Sequence, residues 1–159
     1  MKTLIGIATY NEYGNVVPLL DSIINENLNC DILFIDDNSQ DKTQEAIKSY
    51  QEKNLNIKLI SREKKLGIGS AHLKALEFAY SNKYNFLITM DADFTHNPKY
   101  IKKMLKLNET YPLVIGSRHI EKDSIQSWPL FRKFLTYSAF YVTKNFLNIG
   151  FDATSGFRS

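Results

Sequence analysis

The sequence predicts an α/β sandwich, a mostly parallel sheet flanked by helices, and three observations predict it. Five short apolar runs recur along the chain: Leu4–Ala8, Ile32–Ile35, Ile57–Ile60, Phe86–Met90 and Leu113–Ile115. Their hydrophobicity is continuous rather than alternating, as in strands buried on both faces. Helical patterns separate them, and the resulting order β-α-β-α-β-α-β-α-β belongs to a layered domain with crossover connections.

Each element has its own justification. Between the first two runs, Val16, Leu19, Leu20 and Ile23 follow i, i+3, i+4, i+7 spacing and make one apolar helix face. Asp41 with Gln44 three residues on reads as a capping box that opens the second helix. The third helix is expected from near Gly69 to about Ser81, and the fourth from Pro98, whose preset φ suits a first turn. The last helical segment, about Pro129 to Leu147, carries two stripes: Leu130, Phe134, Tyr137 and Tyr141, then Phe131, Leu135, Val142 and Phe146. A helix apolar on so much of its circumference is buried or docked. Core packing or a protein interface is the reading preferred for it. The competing reading is an interfacial helix near anionic headgroups, since Arg132, Lys133 and Lys144 lie among the aromatics.

Composition narrows the class. The 159 residues suit one domain, 1–159, with a sizeable core, and 43% apolar with 23% charged content argues against long disorder. The single cysteine, Cys30, excludes an internal disulfide framework and a cysteine zinc cluster. No apolar run approaches the roughly 18 residues of a spanning helix, and Asn11 and Glu12 interrupt the N-terminal run too early for a signal peptide. A cytoplasmic setting is the expectation. Net charge is +3 but uneven: residues 1–98 hold 10 Lys/Arg against 13 Asp/Glu, and residues 99–159 hold 10 against 4. The basic third suits phosphates, an anionic membrane surface or nucleic acid; a solvated lysine-rich surface is the plain alternative.

In parallel α/β sheets ligands bind beyond the carboxyl ends of the strands, and polar residues of this chain gather there. They are Thr9-Tyr10-Asn11-Glu12, Asp36-Asp37-Asn38-Ser39, Lys65-Leu66-Gly67-Ile68-Gly69-Ser70, Asp91-Ala92-Asp93 and Gly116-Ser117-Arg118. Acidic residues converging on one rim repel each other unless a cation or cationic ligand sits among them. Asp91 and Asp93, at i, i+2 after an apolar strand, suit a hard cation such as Mg²⁺ or Mn²⁺; the alternative is a pair of solvated turn residues. Asp36-Asp37 suits a base and ribose through charge-assisted hydrogen bonds, or the positive end of the following helix dipole. The Gly67-Ile68-Gly69 turn brings backbone close to a ligand or simply joins loop to helix. Arg118 has a phosphate reading and a surface salt-bridge reading. His72, His96 and His119 share no metal-ligand spacing; His72 reads as an ordinary helix residue, while His96 and His119 stay close to the site. Walker A, G-x-S-x-G and G-x-G-x-x-G patterns are absent, which removes three common enzyme classes.

Together these segments resemble the inverting glycosyltransferases of family 2, which have the GT-A fold. The residues that carry the resemblance are Ala8–Glu12, Ile35–Ser39, Lys65–Ala71, Met90–Phe94, Gly116–Arg118 and Asp152–Arg158. Order and spacing look most like the branch of dolichol-phosphate mannose synthases and other polyprenyl-phosphate sugar synthases. K-L-G-x-G-[ST]-A and T-S-G-F-R are its most specific segments.

The resemblance implies a Rossmann-like sheet, a nucleotide-sugar donor such as GDP-mannose, and a polyprenyl phosphate acceptor. It puts Thr9, Tyr10, Glu12, Asp36, Asp37, Lys65, Gly67 and Ala92 on the donor side. Asp91 and Asp93 hold Mg²⁺ or Mn²⁺ there, and Arg118 joins them as a catalytic residue. Arg132, Ser155 and Arg158 face the acceptor phosphate. It also implies a peripheral place on the cytosolic face of a membrane, with an anchoring segment or subunit outside this chain, and no nucleic-acid partner. An acceptor phosphate is anionic near neutral pH, so its oxygen attacks the sugar C1 without a strong general base. A sugar hydroxyl would need one, and Asp152 is the only late candidate.

Two departures stand out. Some relatives carry Gln where this chain has Thr95, a weaker metal ligand. Relatives also continue beyond T-S-G-F-R, so a domain shortened at its C-terminus is expected. The alternatives are a transferase using a UDP-sugar or a glycan hydroxyl, a non-catalytic nucleotide-sugar-binding fragment, and a receiver domain. Receivers need acidic residues after the first strand and a phosphoacceptor Asp after the third, where this chain has Thr9-Tyr10 and Ser61-Arg62.

Overall fold

The computed structural model describes residues 1–53, 56–117, 129–152 and 155–159. Arg118 and His119 lie outside the described residues, as does the side chain of Arg132. The elements run β1 (Thr3–Thr9), α1 (Tyr13–Asn25), β2 (Cys30–Asp36), α2 (Thr43–Gln51), β3 (Ile57–Ser61), α3 (Ile68–Ser81), β4 (Phe86–Asp91), a 3₁₀ turn (Pro98–Tyr100), α4 (Ile101–Asn108) and α5 (Leu130–Phe146). The four strands form one parallel sheet in the order β3-β2-β1-β4.

Alternate residues of each strand serve opposite faces. Ile5, Ile7, Phe34, Ile88 and Met90 meet Val16, Leu19, Leu20 and Ile23 of α1, Ile47 of α2 and Ile101 and Met104 of α4. Leu4, Leu33 and Ile35 meet Ala71, Ala75 and Ala79 of α3. That alanine stripe lets α3 approach closely; a Cβ on Gly6 of β1 would stand 2.9 Å from the Ala75 Cβ. A fully buried Leu or Ile contributes roughly 1.5–3 kcal/mol, so these two layers dominate the stability.

Three expectations need correction. The fifth apolar run does not form a parallel strand. Ile115 instead makes an isolated antiparallel bridge with Arg158, which also bridges Thr89 of β4. The returning segment bonds to both neighbours: Thr89 N–H donates to Arg158 O at 2.8 Å, Gly116 N–H to Phe157 O at 2.9 Å, and Val114 N–H to Ser159 O at 2.9 Å. Thus 157–159 wedge between β4 and 114–116. A Cβ on Gly116 would meet Phe157 Cδ1 at 2.8 Å, so only glycine fits there.

Secondly, Asp41 and Gln44 do not form a reciprocal box. Asp41 Oδ1 accepts from Thr43 N–H at 2.9 Å, while the Gln44 amide turns away to Asp36 Oδ1 at 2.6 Å. Gln44 Oε1, the atom a capping box would use as acceptor, takes the Ser61 hydroxyl at 3.0 Å instead of a backbone N–H. Thirdly, α5 is not core: Leu130 is 84% exposed, Phe146 77% and Phe131 72%. The two sheet faces are already covered by α1, α2 and α4 on one side and α3 on the other, so no core position remains for it.

Candidate active site

Parallel register brings the carboxyl ends of the strands level. Thr9 pairs with Asp36, Asp36 with Ser61, and Ala8 with Asp91. The polar clusters therefore share one edge of the sheet, the edge at which such folds bind ligands.

On the β2 side the carboxylates face inward. Asp36 is fully buried, and its Oδ2 accepts from Thr9 Oγ1 at 2.9 Å and Ser39 Oγ at 2.5 Å. Its Oδ1 accepts from Ser39 N–H at 2.8 Å and from Gln44 Nε2. Asp37 pairs with the Arg62 guanidinium, and its Oδ2 accepts the N–H groups of Leu66 at 3.1 Å and Gly67 at 2.8 Å. Gly67 has φ 86° and ψ 160°, a region essentially restricted to glycine. Arg62 Nη1 also donates to Ser70 Oγ at 2.6 Å, tying the turn to the first residues of α3.

The β1 loop is stitched to the same scaffold. Asn11 N–H donates to Ser39 Oγ at 2.8 Å, Glu12 N–H to Thr43 Oγ1 at 2.9 Å, and Tyr13 N–H to Asp41 Oδ2 at 3.1 Å. Asn11 and Asn38 adopt left-handed φ values of 56° and 61°, a conformation asparagine tolerates. Lys65 Nζ lies 3.7 Å from the centre of the exposed Tyr10 ring, a cation–π contact that closes over this end. The Asp41 carboxyl feels desolvation upward, but bonds from the Thr43 side chain and backbone and from Tyr13 N–H outweigh it and hold it below the usual carboxylate range.

The β4 side differs. Ala92 is buried and Asp93 is exposed. Asp93 Oδ1 accepts from Thr95 N–H at 3.0 Å and Thr95 Oγ1 at 2.6 Å, so Thr95 orients Asp93. The Asp91 side chain is 30% exposed, yet its Oδ1 is buried without a hydrogen-bond partner. Asp91 N–H donates to His96 Nδ1 at 2.8 Å, and the His96 ring stacks on Phe157 with centroids 5.1 Å apart. His96 thereby clamps the Asp91-Ala92-Asp93 segment to the C-terminal one.

That C-terminal segment is fastened by its own polar groups. Ser155 Oγ donates to Gly116 O at 2.6 Å, Thr89 Oγ1 to Gly156 O at 2.8 Å, and Arg158 Nε to Ser155 O at 2.6 Å. Ser155 and Asp152 are both buried. His72 was expected to be an ordinary helix residue, but Gly156 borders His72, His96 and Asp91 together. Burial holds the His72 pKa below its ordinary value; the Asp91 charge opposes this and the Arg158 charge adds to it. Sequence reasoning missed His72 and the Asp37–Arg62 pair because neither follows a motif spacing. The one available signal was the position of His72 next to Ala71, in the stripe that faces the sheet.

The fold and this rim define an α/β protein with a parallel sheet whose polar residues gather at the carboxyl edge, where open α/β sheets bind ligands. The chain belongs to glycosyl transferase family 2, whose model matches residues 4–158. It is 28% identical over 160 residues to an undecaprenyl-phosphate mannosyltransferase from Micrococcus luteus, covering 100% of this chain and 66% of that protein. A mannosyltransferase from Pyrobaculum calidifontis, solved in complex with GDP-Man and Mn²⁺, is 25% identical with a TM-score of 0.51, over 58% of this chain and 27% of that one. Glucosyl-3-phosphoglycerate synthase from Mycobacterium tuberculosis shares the fold over 99% of this chain and 55% of its own, with a TM-score of 0.69 at 15% identity. The chain spans 40% to 66% of the length of the curated relatives it matches.

Proposed function

We propose that this chain transfers a hexose, mannose from GDP-mannose, to the phosphate of a polyprenyl lipid with inversion at C1. The observation that carries the reading is the Asp91-Ala92-Asp93 segment at the carboxyl end of β4, with one Asp91 oxygen buried and unpaired while the rest of that side chain reaches solvent. The family and the names of the relatives support the donor and acceptor classes.

Residues and chemistry fit a hard divalent cation. Asp91 and Asp93 offer carboxylate oxygens, the ligand type that Mg²⁺ and Mn²⁺ prefer: Asp93 is exposed, and the Asp91 side chain reaches solvent although its Oδ1 is buried. When bound, such a cation neutralises charge on the departing diphosphate. Thr9, Tyr10, Glu12, Asp36, Asp37, Lys65 and Gly67 form the nucleoside side. There Asp36 and Asp37 act by shaping the loops, since their oxygens already serve protein groups, and Tyr10 with Lys65 presents the accessible surface. Arg158, with Arg118 and Arg132, is assigned to the acceptor phosphate, while Ser155 acts by fastening that segment, since it is buried and its Oγ already serves Gly116 O.

An acceptor phosphate oxygen attacks C1; the new C1–O bond forms as the C1–O bond to the diphosphate breaks, and the electron pair leaves with the nucleotide. No proton has to be removed from the acceptor, so no base is assigned. Positioning and electrostatic stabilisation supply the catalysis. The exposed aromatic α5, with Lys133 and Lys144, supports a peripheral seat on an anionic membrane surface. Among the described residues no helix is long and apolar enough to cross a membrane.

The test is transfer of labelled mannose from GDP-mannose to a short polyprenyl phosphate, read in the organic phase. Lipid-borne label whose formation EDTA blocks and added Mn²⁺ restores is expected. No label on that lipid, or label only on glycan acceptors or only from UDP-sugars, would reject the reading.

A further inference from the structure

Behind Asp91 lies a polar group that the reaction as proposed leaves unused. Asp91 Oδ1 is buried without a hydrogen-bond partner, and so is His72 Nε2. Asp91 Oδ1 and the His72 ring at Cε1, the carbon bonded to Nε2, border the same small space, the one a side chain at residue 156 would fill. A Cβ built on Gly156 would stand 3.6 Å from Asp91 Oδ1, 3.7 Å from His72 Cε1 and 3.3 Å from His96 Cε1.

The two unpaired atoms are complementary. A carboxylate oxygen only accepts, and a neutral imidazole protonated at Nε2 donates there. Leaving either one buried and unmade is costly, and no direct bond joins them. A polar gap of this kind is where a single buried water makes its bonds. Gly156 keeps the space open, because any side chain would press on the His96 ring.

We propose that His72 is a positioning residue for Asp91: its Nε2–H, through one water held over Gly156, binds Oδ1 and turns the other carboxylate oxygen toward the cation. The inference rests on the reading that Asp91 holds that cation. His96 does a separate job, accepting the Asp91 backbone N–H while stacked on Phe157. Backbone and side chain of Asp91 are thus fixed by different histidines, one from the loop after β4 and one from α3. Metal-ligating carboxylates depend on such outer partners for their orientation.

The experiment is Mn²⁺ binding in the presence of GDP, or of UDP where GDP gives none, followed by the electron paramagnetic resonance signal of free Mn²⁺. Wild type, His72→Ala, His72→Gln and Gly156→Ala are compared, with thermal unfolding of each metal-free protein. If wild type binds no Mn²⁺ with either nucleotide, the donor-site reading itself fails. With wild-type binding established, His72→Ala and Gly156→Ala are each expected to weaken Mn²⁺ by about 10–100-fold. His72→Gln, which keeps an N–H at similar reach, is expected to recover most of that loss. Wild-type Mn²⁺ affinity in His72→Ala overturns the positioning role while leaving the cation site standing. Should His72→Ala not fold, ¹⁵N resonances of wild-type His72 decide: a proton on Nε2 supports the proposal, and a proton on Nδ1 alone overturns it.

Discussion

Two acidic pairs stand at the same sheet edge and do opposite things. Asp36-Asp37 after β2 is buried, and its oxygens are taken up by Thr9, Ser39, Gln44 and two backbone N–H groups, with Asp37 Oδ1 held by the Arg62 ion pair rather than by a hydrogen bond. Asp91 and Asp93 at the end of β4 are partly solvent-facing, and one Asp91 oxygen has no partner at all. The first pair is scaffold that happens to be acidic; the second keeps carboxylate charge facing solvent. Side-chain type is the same, and what differs is whether the surrounding loops supply donors. A buried carboxylate with its full complement of hydrogen bonds is stable and has little left for a ligand.

This comparison predicts separable phenotypes. The largest effect falls on Asp93→Ala and Asp91→Ala. Each is expected to reduce cation-dependent transfer by roughly a thousandfold, from the several kcal/mol of charge stabilisation such a cation supplies. Asp93→Ala should leave urea-induced unfolding within about 0.5 kcal/mol of wild type, because that residue is exposed. Unaltered transfer would erase the distinction between the pairs.

Asp37→Ala should do the reverse and cost about 3–5 kcal/mol in urea denaturation, since it strands a buried Arg62 whose side chain is 10% exposed. A stability near wild type would mean that this pair is no more structural than the other. Gly67→Ala is the next smaller, about 1–3 kcal/mol, for the backbone conformation alone. No atom lies within 4 Å of the added Cβ, so strain cannot be confused with a clash.

The smallest effect is in the acid limb. The folded Asp41 pKa is depressed, so its contribution is present above the unfolded value of about 3.9 and is lost as pH falls through the folded one. Asp41→Asn is expected to flatten the fall of melting temperature with pH below about 4. An unchanged slope would assign that fall to other carboxylates.

Much of this architecture was legible in residue order. The i, i+3, i+4, i+7 face of α1 is the buried face, Pro98 does open the turn before α4, and the four apolar runs through Phe86–Met90 are the four parallel strands. The run at Leu113–Ile115 misled because apolar content does not encode strand direction. Its partner, Arg158, lies more than forty residues on in the chain and is polar. For α5 only the core half of the expectation failed: a hydrophobic stripe states that a surface avoids water without saying what covers it. The capping box failed because both ends of the Gln44 amide are taken by distant residues, its N–H by Asp36 and its oxygen by Ser61, which no local pattern could weigh.

Sequence alone determined the layers and the edge. Hydrophobic periodicity is local, and parallel pairing then obliges the polar ends of β1, β2, β3 and β4 to meet. Tertiary structure decided which acids became scaffold and which stayed solvent-facing, and it brought His72 and Gly156 to Asp91 from two separate segments. Hydrogen-bond satisfaction depends on atoms that approach only after the chain has packed. Identical carboxylates in similar-looking motifs could not be told apart before that.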